Sequence, residues 1–136
     1  MTLFLDTNIF IYAFGDESVY REPCRQILES VARGDTPAVT STEVVQDVAY
    51  RYLKRGEAAR AVEAIDGVLA TVEAVLPVDI AVVRRFRHLV QEHPRAGGRD
   101  LIHVAVMMNA GIDTIASADR DFDRFPRIKR TDPLDA

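Results

Sequence analysis

The chain has 136 residues, of which 48% are hydrophobic and 28% charged, and its formal net charge is -4. This length and composition are typical of one folded unit around a single core. The apolar opening is interrupted by Asp6, so neither a signal peptide nor a membrane span is expected. The single cysteine, Cys24, excludes an internal disulfide and a cysteine metal cluster, which agrees with a cytoplasmic, reducing compartment, and we expect it in the core.

In chain order, short apolar runs alternate with segments whose apolar residues recur at helical spacing. The predicted strands are residues 2–5, 38–40, 72–76, 113–116 and, at an edge of the sheet, 127–130. The predicted helices begin near Thr7, Pro23, Ser41, Ala58, Asp79 and Arg99. Alternating strands and helices predict an α/β fold, namely a three-layer α/β/α sandwich with a central, mainly parallel sheet.

Apolar spacing also predicts which faces of two helices are buried. The expected inward residues are Ala58, Ala61, Val62, Ile65 and Leu69 in the helix after Gly56, and Val82, Val83, Phe86, Leu89 and Val90 in the helix after Asp79. On the second of these helices, Arg84, Arg85, Arg87 and His88 are expected to face outward.

Four acidic residues fall near strand ends and helix starts. Asp6 and Asp119 lie at or just past strand ends, and Asp47 and Asp100 are predicted in first helical turns near the same edge. Ligands of open parallel sheets bind outside the carboxyl ends of the strands, so these acids are expected to converge. Clustered carboxylates need compensating protons or a cation. A hard ion such as Mg²⁺ or Mn²⁺ suits oxygen ligands and phosphodiester hydrolysis.

Four segments, in order, carry a family resemblance: LFLDTNIFIYAF, TSTEVVQDVAYRY, GGRDLIHVAVMMNAGI and IASADRDFDRFP. They closely resemble the acidic motifs of PIN-domain ribonucleases of the VapC type, the toxins of VapBC toxin-antitoxin pairs. The resemblance spans essentially the whole chain, residues 1–136, as a single PIN domain. It implies a metal-dependent endoribonuclease that binds RNA, pairs with a VapB-like antitoxin covering the acidic site, and forms a homodimer.

Residue by residue, the resemblance implies a catalytic set consisting of Asp6, Asp47, Asp100 and Asp119. Asp6 and Asp100 would be the direct metal ligands, and the candidate auxiliaries are Glu43, Asp119, Asp121 and Asp123. Thr7, Asn8 and Ser117 match polar supporting positions, and Arg99 is the candidate RNA contact. At the second motif Asp47 stands where the family has glutamate, so Glu43, one helical turn earlier, is the alternative second acid.

Simpler interpretations exist for several of these residues. Asp6 and Asp100 could cap helices, and Asp47 could belong to a solvated helix face. His103 could be a general base, but its apolar neighbours favour a hydrogen-bonded structural histidine.

Two other functions compete with the nuclease. A phosphatase of the haloacid-dehalogenase type also begins with an aspartate after a strand, but it needs a second one two residues later, where this chain has Asn8. The other is a non-catalytic module whose acidic pocket stores a cation or docks a basic peptide. Metal-dependent turnover of RNA distinguishes these possibilities.

Overall fold

A five-stranded parallel sheet forms the centre of the computed structural model, which describes residues 1–135. The strands are β1 (Leu3–Leu5), β2 (Ala38–Ser41), β3 (Ala74–Leu76), β4 (Thr114–Ala116) and β5 (Lys129–Thr131). Their order in the sheet is β3-β2-β1-β4-β5, and every neighbouring pair is parallel. The order reverses between β1 and β4, and such a reversal is where open α/β sheets bind ligands.

Six helices flank this sheet and confirm the predicted three-layer α/β/α arrangement. They are α1 (Thr7–Phe14), α2 (Arg21–Ala32), α3 (Thr42–Leu53), α4 (Ala58–Thr71), α5 (Ile80–Glu92) and α6 (Gly98–Ala110). The helices pack mainly in pairs, α1 on α2, α3 on α4 and α5 on α6. Within residues 1–135, none of them combines the length and apolar character that crossing a bilayer requires.

Local sequence explains several helix boundaries. The Ser41 side chain accepts a hydrogen bond from the Val44 backbone N–H at 3.2 Å, and Asp79 caps α5 in the same way. Gly111 ends α6 with φ +70°, a left-handed conformation that glycine adopts without a Cβ clash. Cys24 is fully buried in the core, as predicted.

The buried face of α4 differs from the prediction. Ala58, Val62 and Leu69 were predicted to face inward but are exposed, Val62 and Leu69 to 57% and 55%. Ala61 is buried as predicted, and Ala64 and Val68 are buried with it. These three residues recur at helical spacing and form their own stripe, and their small side chains let α4 lie close to its neighbours. The face containing the largest apolar side chains is therefore not the one that packs.

The buried face of α5 is also narrower than predicted. Val82 and Leu89 are buried, but Val83 and Val90 are 45% and 41% exposed. The basic side chains predicted to face outward, Arg84, Arg85, Arg87 and His88, are exposed. A helix that packs mainly against one neighbour, α6, needs only a narrow apolar stripe.

Candidate active site

A cavity of about 240 Å³ lies at the carboxyl ends of β1 and β4, where the strand order reverses. We call it the acidic cavity. Seven of the predicted site residues line it: Asp6, Thr7, Asn8, Asp47, Arg99, Asp100 and Asp119. Ile11, Tyr12, Arg51 and His103 complete its wall. Acids from four distant parts of the sequence therefore converge as predicted.

Asp6 is buried at the base of the acidic cavity and is only 6% exposed. Its Oδ1 accepts a hydrogen bond from the Thr7 backbone N–H at 2.7 Å, and its Oδ2 accepts one from the Ser117 hydroxyl at 2.6 Å. Burial raises the pKa of Asp6 to about 6, although both hydrogen bonds lower it. Asp6 thus caps α1 and lines the cavity at the same time, so the capping interpretation accounts for only part of its environment.

A hydrogen-bond network joins the end of β1 to the end of β4. The Asn8 amide donates to Asp6 Oδ2 at 3.3 Å and to Ser117 Oγ at 3.2 Å, and its carbonyl oxygen accepts from the Ala118 backbone N–H. Ser117 Oγ also accepts from the Asp119 backbone N–H at 2.9 Å. Asn8 and Ser117 therefore hold Asp6 and the Asp119 backbone in fixed positions.

Three other carboxylates form a group that fits a hard cation. Oxygens of Asp100, Asp119 and Asp121 all lie within 4.8 Å of one another. Burial raises the pKa of Asp100 to about 6, and the negative charges of Asp119, Asp6 and Asp121 add to the effect. Oxygen donors at this spacing suit Mg²⁺ or Mn²⁺ better than a softer metal. Asp6 lies outside this group of three; it lines the acidic cavity together with Asp100 and Asp119, whereas Asp121 does not.

The structure distinguishes the two candidates for the second acid by position. Asp47 lines the acidic cavity, and its Oδ2 accepts a hydrogen bond from the Thr7 hydroxyl at 3.3 Å. Glu43 is absent from the cavity wall, and burial and the charge of Asp47 raise its pKa. The prediction that Asp47 lies in a first helical turn was wrong, because α3 begins at Thr42 and places Asp47 in the second turn.

Asp123, the remaining auxiliary, points away from the other acids. Its carboxylate forms an ion pair with Arg130, with an N–O distance of 2.9 Å, and this pairing lowers the pKa of Asp123. It is exposed and is not among the residues lining the acidic cavity.

His103 is buried behind Asp6 without the hydrogen bond that the sequence led us to expect. Its Nε2 lies 3.6 Å from Asp6 Oδ1, which is too long for a hydrogen bond, and its Nδ1 has no partner within residues 1–135. The ring contacts Phe4, with 5.6 Å between centroids. Burial lowers the pKa of His103 to about 4, so the imidazole is neutral at physiological pH.

Sequence reasoning missed two polar side chains of the cavity wall, Tyr12 and Arg51, as well as the apolar Ile11. Tyr12 follows Asn8 by four residues, and Arg51 follows Asp47 by four. Residues four apart share a helix face. Tyr12 and Arg51 could therefore have been predicted from the positions of Asn8 and Asp47.

A larger cavity of about 580 Å³ lies among helices away from these acids. Its wall includes Phe14, Leu28 and Ala64 but none of the predicted site residues. The larger cavity therefore does not coincide with the converging carboxylates, which line the smaller one.

The fold and the acidic cavity together define an α/β protein with a cluster of carboxylates at the reversal of the strand order. A family model described as PIN domain matches residues 3–128. The chain belongs to the PIN-domain family.

Named relatives agree with this assignment. Ribonuclease VapC13 of Mycobacterium tuberculosis is 34% identical over 130 residues, which cover 94% of this chain and 98% of that protein. Ribonuclease VapC23 of the same species is 35% identical over 117 residues, covering 86% and 92%. Among solved structures, VapBC2 from Rickettsia felis bound to a DNA fragment from its promoter has a TM-score of 0.77, covering 97% of this chain and 98% of that chain. At 19% identity, this last likeness shows the fold alone.

Proposed function

We propose that this chain is a metal-dependent endoribonuclease and the toxin of a type II toxin-antitoxin pair. The observation that carries the proposal is the convergence of Asp6, Asp47, Asp100 and Asp119 in one cavity. Similarity to VapC ribonucleases over most of the chain supports RNA as the substrate. The Asn8 amide, engaged with Asp6 and Ser117, occupies the position where a haloacid-dehalogenase phosphatase needs an aspartate.

The carboxylates of Asp6, Asp100 and Asp119, with Asp121 as an auxiliary, would hold Mg²⁺ or Mn²⁺. When bound, such an ion supplies positive charge to the phosphodiester and activates water for hydrolysis. With pKa values raised to about 6, Asp6 and Asp100 stay protonated to a higher pH than ordinary carboxyls, and a bound cation would favour their ionised forms. No covalent intermediate on the protein is required.

The other side chains of the site act through position and charge. Thr7, Asn8 and Ser117 hold the carboxylates in place through the hydrogen bonds described above. Arg99 lines the cavity, and its guanidinium is suited to contact an RNA phosphate. Burial lowers the pKa of His103 to about 4, which makes its imidazole a weak base and disfavours a role as a general base.

The test is incubation of purified, antitoxin-free protein with total RNA and transfer RNA in Mg²⁺ or Mn²⁺, with and without EDTA. We expect discrete RNA fragments that disappear when EDTA removes the metal. A protein that binds Mn²⁺ but cuts no RNA under these conditions would contradict the nuclease and favour the non-catalytic cation-binding module.

The proposed partners are a VapB-like antitoxin and a second copy of the chain. The family's VapBC pairs support the antitoxin, whose C-terminal segment would cover the acidic cavity and block cleavage. An RNA substrate and a single cysteine agree with a cytoplasmic location. Co-expression of the neighbouring small gene should relieve toxicity; if its product does not bind, the antitoxin assignment fails but the nuclease does not.

Substitution distinguishes the two candidates for the second acid. Asp47→Asn should lower the cleavage rate by about 10- to 100-fold, the usual effect of losing a polar group that supports a metal site. Glu43→Gln, on the same helix, should stay within about twofold of the parent because its side chain does not line the acidic cavity. Initial rates in excess Mn²⁺ measure both. A larger loss for Glu43→Gln than for Asp47→Asn would reverse the assignment.

A further inference from the structure

A second cavity of about 220 Å³ adjoins the acidic cavity. Ile11, Tyr12 and Arg51 line both of them. We call this second space the Tyr12 cavity; the rest of its wall consists of Gly15, Asp16, Glu17, Ser18, Tyr52, Arg55 and Arg60. Because the two cavities share part of their walls, a nucleic-acid strand with one phosphodiester in the acidic cavity has a continuous protein surface for its adjoining nucleotide.

Of the three arginines that line the Tyr12 cavity, only Arg51 forms no ion pair with another residue of the described range 1–135. Arg55 and Arg60 both lie near Glu57, with N–O distances of 4.0 and 3.0 Å. The guanidinium of Arg60 also lies 5.0 Å from the centre of the Tyr52 ring. Arg51 is exposed and forms no ion pair or side-chain hydrogen bond with the described residues. An unengaged guanidinium in the wall shared by two cavities is suited to bind a phosphate.

Tyr12 provides a fixed aromatic surface at the same boundary. Its ring stacks on Tyr20, with 4.6 Å between centroids and 19° between planes. This contact holds the ring in one orientation, while the half-buried side chain still lines both cavities. Bases of single-stranded RNA bind proteins by stacking on aromatic rings, and a ring that is already ordered loses little entropy on binding.

We propose that the Tyr12 cavity is a nucleotide subsite for single-stranded RNA. The base next to the scissile phosphate lies against the Tyr12 ring, and Arg51 binds the phosphate at the boundary of the two cavities. Asp16 and Glu17 in the wall disfavour a further phosphate inside the Tyr12 cavity, which therefore suits a base better than backbone. The subsite rests on the proposed function, because it needs the scissile phosphate in the acidic cavity.

The test measures the binding of a short fluorescent single-stranded RNA by anisotropy at several salt concentrations. All proteins carry Asp100→Asn so that the RNA stays intact. Arg51→Ala should weaken binding by about 10-fold or more, as expected for a lost charged hydrogen bond. It should also reduce the slope of log affinity against log salt by about 0.7, the value for one phosphate of a single strand.

Substitutions of Tyr12 test the stacking part of the subsite. Tyr12→Leu keeps apolar volume but removes the ring, and it should weaken RNA binding by about 5- to 100-fold. Tyr12→Phe keeps the ring and should bind as the parent does. Thermal unfolding checks that each variant folds. If Tyr12→Leu does not fold, Tyr12→Phe still tests the role of the ring.

Two matched controls lie on or beside the helix that carries Arg51. Lys54→Ala removes one positive charge, and Tyr50→Ala removes one exposed ring; neither residue lines either cavity. Both should bind RNA as the parent does.

The outcomes separate this inference from the proposed function. If Arg51→Ala and Tyr12→Leu bind RNA as the controls do while the chain with Asp100 cleaves RNA, the subsite is wrong and the nuclease stands. If the chain with Asp100 neither binds nor cleaves RNA, both proposals fail. If the two substitutions leave RNA affinity unchanged but weaken binding to a protein partner, the Tyr12 cavity is a protein contact, which also overturns the subsite.

Discussion

Cleavage of RNA should fall by at least about 1,000-fold when either Asp6 or Asp100 is replaced by asparagine. Each substitution removes a negative charge that would hold the divalent ion, and the loss of several kcal/mol of transition-state stabilisation corresponds to about this factor. Asparagine is the informative replacement at position 6. It keeps an oxygen that can accept the Thr7 N–H bond, and it caps helices as well as aspartate does.

Initial cleavage rates in excess Mn²⁺, together with Mn²⁺ affinity from calorimetry, measure this effect. Asp66→Asn is a matched control, because Asp66 is exposed on α4 and lines neither cavity. It should cleave RNA as the parent does. Asp6→Asn and Asp100→Asn proteins that fold normally and retain the parent's rate would show that the carboxylate assignment is wrong.

Without metal, the titration of Asp6 and Asp100 should contribute a decrease in the free energy of unfolding as pH rises from 3.8 to about 6. In that window the folded protein keeps protons on Asp6 and Asp100 that the unfolded chain releases, so rising pH favours the unfolded state. For buried Asp6, a pKa raised from 3.8 to about 6 corresponds to a loss of about 3 kcal/mol. His103 acts in the opposite direction across much of the same window, because its pKa is lowered from 6.5 to about 4 and the unfolded chain binds a proton there that the folded protein does not. Asp123 and Asp132, paired with Arg130, have lowered pKa values and act in that direction below the window. The contribution of Asp6 is therefore measured as the difference in stability between Asp6→Asn and the parent at each pH.

Saturating Mn²⁺ should oppose this loss of stability, because cation binding requires the ionised carboxylates. At a free metal concentration of about 100 times its dissociation constant, the gain is about 2.7 kcal/mol. Urea unfolding across the pH window, in EDTA and in Mn²⁺, measures both effects. Asp6→Asn in EDTA should gain about 3 kcal/mol of stability relative to the parent between pH 3.8 and neutral pH, because it lacks the carboxyl proton that the folded parent must release. A difference between the two proteins that stays constant or shrinks across this window would contradict the raised pKa of Asp6.

The sequence alone determined the α/β class and the four catalytic candidates of the site. Both are local features: a strand that ends at Asp6 or just before Asp119 is visible as an apolar run that stops at a polar residue. Parallel strands share one edge for their carboxyl ends, so local patterns suffice to predict that these acids meet there. The caps at Ser41 and Asp79 are local as well, because a cap and its backbone partner lie within three residues.

Only the tertiary structure decided which side chains of each helix line the cavity or pack in the core. The rotation of α3 against β1 places Asp47 and Arg51 in the cavity wall and leaves Glu43 outside it. Neighbouring helices likewise decide that α4 buries Ala61 and Ala64 rather than Val62. Helical periodicity shows which residues share one face of a helix but not whether that face points towards the core. The orientation of the helix depends on contacts between residues far apart in the sequence.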